Sequence, residues 1–152
     1  MPVPDVKAGM VLTAAILADF GREGTWTPAL VSDGTNPNLG TGPTQNGDWH
    51  YKAGLITVQF EIVLGTGATA GTGNYRIQAL PFSIDAGWVS NAIGEARIVD
   101  VSTGDPDNWH VVVQSTTQFR IENQAGAQMG AASPWAWAAG DSIRGVANYK
   151  SA

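Results

Sequence analysis

Between Leu55 and Leu64 the chain alternates without interruption. Ile56, Val58, Phe60, Ile62 and Leu64 fall on one side of an extended backbone, and Thr57, Gln59 and Glu61 on the other. A repeat of two marks a strand with one buried face and one wet face. Weaker stretches of the same kind predict strands over 25–31, 74–80, 96–101, 109–115, 117–122 and 142–149. The segments between them, above all 65–73 and 102–108, are dense in Gly, Thr, Asp and Pro, which is turn chemistry. Seven or eight short strands, Gly-rich turns and no alternating helices predict an all-β fold. The expected architecture is an antiparallel β-sandwich or jelly roll.

The period changes near the start. Residues 1–9 contain Pro2 and Pro4 and read as an extended arm. From Met10 to Phe20 the pattern turns helical, with Thr13 as N-cap, Ile16, Leu17 and Phe20 on one face, and Gly21 as the stop. A helix this short is marginal alone in water. It is expected to dock on its own β domain, on sister chains or on a larger particle, through Met10, Leu12, Ile16, Leu17 and Phe20. The chain divides accordingly into an arm and docking helix (1–21) and a β domain (22–152).

Composition narrows the functional classes. Only 14% of the 152 residues are charged, well below the usual quarter or so, and the net charge is −5. The eight Lys and Arg residues are scattered singly, so no basic patch offers itself to nucleic acid. Cysteine is absent, which excludes disulfides and thiolate chemistry. No run approaches the ~20 apolar residues of a membrane span, and VLTAAIL lacks the charged lead and cleavage site of a signal peptide. The expectation is a soluble chain made in the cytoplasm, with surfaces that neighbouring subunits cover.

Candidate chemistry is thin. His50 and His110 each follow a tryptophan (DWHY, NWHV), and could pair with Asp48, Asp105 or Asp107 as a base or metal site. Sixty residues apart, they carry no ligand spacing, and an aromatic strand entrance is the plainer reading. Asp85, Glu95, Asp100 and Asp141 supply carboxylates, but nothing singles out a catalytic pair. GTGATAGTGNY lacks the Lys-Ser or Lys-Thr of a phosphate loop and reads as a turn. In STGDPDNW, Asp105 and Asp107 could hold a cation, against the simpler reading of a turn. No catalytic residue, cofactor or metal is therefore assigned, and the chain is read as no enzyme. Six tryptophans are many for this length. Trp26 and Trp137 are read as structural. Trp49, Trp88, Trp109 and Trp135 are candidates for a subunit interface or a glycan contact.

The order of several segments resembles a known group. VKAGMVLTAAILADF, GTWTPAL, PNLGTG, NGDWHYKAGLITVQFEI, NYRIQALPF, GEARIVDVSTG and the closing WAAGDSIRGVANY cover nearly the whole chain. Together they are similar to the small β domains of bacteriophage virion proteins, particularly minor tail proteins and tail-fibre domains of tailed phages. That resemblance implies a homotrimeric virion component partnered by itself and by other tail or capsid proteins. It also admits a capsid decoration protein as an alternative, while the tryptophans Trp49 and Trp109 leave open a third reading, a carbohydrate-binding adhesion module that contacts host cell-surface glycan. The long fibrous shaft of a tail fibre is missing here, which favours a short, close-docked part.

Overall fold

A computed structural model describes residues 21–104 and 106–152. The expected docking residues Met10, Leu12, Ile16, Leu17 and Phe20, and Asp105, lie outside the described residues. Nine strands form one antiparallel sheet: β1 (Arg22–Trp26), β2 (Ala29–Ser32), β3 (Thr44–Lys52), β4 (Leu55–Val63), β5 (Tyr75–Gln78), β6 (Ala92–Val99), β7 (Pro106–Ser115), β8 (Gln118–Glu122) and β9 (Ser142–Lys150). The order across the sheet is β1-β3-β4-β9-β6-β7-β8-β5-β2. The all-β, antiparallel expectation holds. The one helical element described is the 3-10 turn Ala86–Trp88.

The two outermost strands, β1 and β2, are consecutive in sequence and separated only by Thr27 and Pro28. Three residues span at most about 10 Å, so the sheet must curl until its two edges meet at this corner. The single strand expected over 25–31 is thus two strands on opposite edges. Pro28 lacks the N–H that a continuous ladder would need. Its carbonyl instead accepts the Gln45 side-chain amide at 2.8 Å.

Curling needs room on the inner face, and one rung of the ladder supplies it. In register from β1 to β7 stand Trp26, Gly47, Phe60, Gly145, Ala96 and Trp109. Large and small side chains alternate across the sheet, so each ring lies over a neighbour that has nothing to clash with it. A Cβ on Gly47 would sit 2.3 Å from the Trp26 indole nitrogen, and one on Gly145 would sit 2.4 Å from the Phe60 ring. Gly24, opposite Trp49, repeats the arrangement, with the indole 2.7 Å from the missing Cβ. Trp26 also donates its indole N–H to the Gln59 carbonyl and meets Phe60 edge-on at 6.3 Å.

Inward residues of β4, β9, β6, β7, β8 and β5 complete the core, with Ile56, Ile62, Ile77, Ile98, Phe119, Ile143 and Tyr149 essentially without solvent contact. Each such side chain contributes roughly 1.5–3 kcal/mol by leaving water. β3 was not predicted, because its Asn46-Gly47 pair is the usual mark of a hairpin turn. The actual turn comes later, at Ala53 and Gly54, both with positive φ (52° and 85°) as a type I′ turn requires. Gly47 is glycine for the sake of Trp26.

Substituting Gly47→Ala is expected to destabilise the fold by about 1–3 kcal/mol through overpacking. Adding Trp26→Leu to that variant should cost less than the sum of the two single changes, as urea unfolding in a double-mutant cycle will show.

Candidate functional site

Four of the carboxylates are occupied at turns. The Asp33 carboxylate accepts the Asn74 N–H at 2.7 Å and Arg76 Nη2 at 3.1 Å, and the Asn74 amide with the nearby guanidinium holds its pKa below the ordinary value. Asp85 caps the 3-10 turn by accepting Gly87 N–H, and Lys150 stands 3.0 Å away; both depress its pKa, the backbone amide more. Asp100 is lowered by the Ser102 hydroxyl and N–H. Buried Asp141 accepts the backbone N–H of Val101 at 3.0 Å and of Ala138 at 2.8 Å.

The Gly-Thr-Gly segments at 40–42 and 65–67 meet each other. Thr41 and Thr66 exchange backbone hydrogen bonds of 2.9 and 3.1 Å, and Thr72 N–H reaches the Thr35 carbonyl at 2.9 Å. A Cβ on Gly65 would fall 2.3 Å from the Thr41 carbonyl oxygen. The glycines therefore permit close backbone approach as well as positive φ.

The four tryptophans expected at an interface or glycan site are not brought together. Trp109 is a core residue, 2% exposed, and its indole N–H donates to Asp107 at 2.6 Å. It offers nothing to a partner at the surface. Trp49 is half-buried against Gly24 and meets Phe82 edge-on at 4.9 Å. Trp88 is half-buried at the 3-10 turn. Trp135 leans on Trp137 at 5.7 Å, and its indole N–H finds no hydrogen-bond partner. Trp26 and Trp137 are buried, as the sequence suggested.

The histidines face other acids than those expected. His50 is exposed, with Nδ1 3.5 Å from Glu23 on the neighbouring strand. His110 lies in register with Glu95 on one side and Glu122 on the other, and Glu122 is engaged by Arg120. Asp107 is occupied by Trp109. Among the described residues no group of three His, Cys, Asp or Glu is arranged to hold a metal ion. No helix among them is long and apolar enough to cross a membrane.

What the sequence did not reveal is a groove on the outer face of the sheet, of about 620 Å³. Its floor is the backbone of the rung Gly47, Phe60, Gly145 and Ala96, whose side chains point inward. One wall is the rung Asn46, Glu61, Arg144, Arg97 and Asn108. The other is Asp48, Gln59, Val146 and Glu95. Glu61 accepts Arg144 Nε at 2.6 Å. The remaining polar side chains of both walls make no hydrogen bond within the described protein. Arg97 stands directly opposite Arg144, a like-charge pair that a sheet ordinarily avoids. The signal was there as polar residues at spacing two on β3, β4 and β6, but only the register joins them with β9 into a surface.

A scan against protein-family models finds no match, and a search of curated proteins finds none.

The three depressed aspartates fix the response to acid. Below the unfolded-state value the unfolded chain takes up protons that native Asp33, Asp85 and Asp100 resist, so stability present above about pH 4 falls as pH drops through the folded values. Asp33→Asn should flatten that acid limb in chemical unfolding followed from neutral pH downward, while lowering stability at neutral pH.

Proposed function

We propose that this chain is a non-enzymatic structural protein that works by assembling with copies of itself, as a short, close-docked virion component of a tailed phage. The observation that carries the reading is where its charged groups are placed. Asp33, Asp85, Asp100 and Asp141 each accept backbone N–H groups that hold a turn. Arg76, Arg120, Arg144 and Lys150 each pair with a carboxylate. Polar chemistry used in this way stiffens a scaffold. The resemblance of the ordered segments to minor tail and tail-fibre domains supplies the setting. In it the curled sheet folds over as a sandwich or jelly roll, and three copies associate around a closed axis.

The mechanism is association without turnover: apolar area leaves water at the contacts, and a polar rim sets their register. Other tail or capsid proteins would be the remaining partners. Sedimentation equilibrium of the full chain over a range of concentrations should show a species of three times the chain mass. A strict monomer at the highest concentration reached would refute the assembly.

A further inference from the structure

We infer that the outer-face groove is a binding site for a neutral, linear oligosaccharide lying across the strands. From β3 to β7 the groove crosses four strand spacings, about 19 Å, and its volume of about 620 Å³ falls within the range of ligand clefts. This shape takes a chain, not a compact molecule.

The walls select its chemistry. Asp48 and Glu95 on one side accept hydrogen bonds only, whereas Arg97 on the other only donates. Asn46, Gln59 and Asn108 both donate and accept. A row of hydroxyls, each a donor and an acceptor, satisfies both walls at once. Val146, 38% exposed between Gln59 and Glu95, offers an apolar surface to the C–H edge of a sugar ring. Three carboxylates against two arginines repel a polyanion, so nucleic acid or a sulfated glycan is disfavoured. A peptide strand cannot add here, because the floor's backbone groups already pair within the ladder and β-augmentation needs a free edge. The site lies on a sheet face and uses none of the tryptophans. It is independent of the assembly proposed above.

The test is amide chemical-shift mapping of the full-length chain. The probes are hexasaccharides of glucose, N-acetylglucosamine, galactose and mannose, with a heparin hexasaccharide as the anionic comparison. At least one neutral probe at millimolar concentration should shift amides of residues 46–48, 59–61, 95–97 and 144–146. Arg97→Ala and Glu95→Ala should each weaken that binding about tenfold with the rest of the spectrum unchanged. The inference is overturned if no neutral probe moves these amides or if the shifts cluster elsewhere. It also fails if both variants bind as before, or if only the heparin fragment occupies the groove. Sedimentation decides assembly separately, so the two readings can fail independently.

Discussion

A flat ring can lie across a β-sheet only where the strand beneath it carries no side chain. Trp26 over Gly47, Phe60 over Gly145 and Trp49 over Gly24 meet that condition, and the curl of the sheet depends on it. Replace the glycines and the rings must stand up, the inner face widens, and β1 no longer reaches the corner it shares with β2. The same rung has a second effect on the other side. Its backbone is the floor of the outer groove, and the rungs above and below become walls. Core and groove are two faces of one row of residues.

The polar residues follow a matching economy. A chain with few charges uses most of them as fasteners. Asp33 draws the loop after β2 to the turn before β5, Asp141 ties Val101 and Ala138 together, and Asp85 joins the 3-10 turn to the end of β9. Burial acts on the two deepest tyrosines in the opposite sense to the exposed acids. Tyr75 is pushed up to about 12 and Tyr149 further still, so both remain neutral hydrogen-bond donors to the Ala70 and Phe82 carbonyls. Against this background the unpaired side chains along the groove stand out. Arg97, Glu95 and Asp48 fasten nothing.

How much of this was legible in the sequence varied with the kind of signal. β4 was plain, since apolar residues alternate with polar ones on a half-buried strand. The closing strand began where Ser142 predicted it. β3 was hidden because glycine at an inward position breaks the apolar alternation, although Asn46, Asp48, His50 and Lys52 keep the outer beat. β6 begins at Ala92, four residues earlier than expected, because its start is interrupted by a bulge at Gly94, where a Cβ would strike the Val146 carbonyl at 1.9 Å. The groove was illegible for a different reason. Its walls are drawn from residues up to a hundred positions apart, and only strand order makes them neighbours. Trp109 misled because adjacency to a turn says nothing about which way a strand residue faces.

The corner at Thr27 and Pro28 has a consequence for how the molecule comes into being. β1 needs β3 beside it, β2 needs β5, and β5 is joined to the rest only through β8 and β7. β9, the last of the nine described strands in chain order, sits in the middle between β4 and β6. The ladder thus consists of two runs, β1-β3-β4 and β6-β7-β8-β5-β2, that only β9 joins, so the corner between β1 and β2 closes fully when β9 is in place. Such long-range pairing is slow and leaves apolar strands uncovered meanwhile. β9 is the wedge whose insertion between β4 and β6 fastens the two runs together.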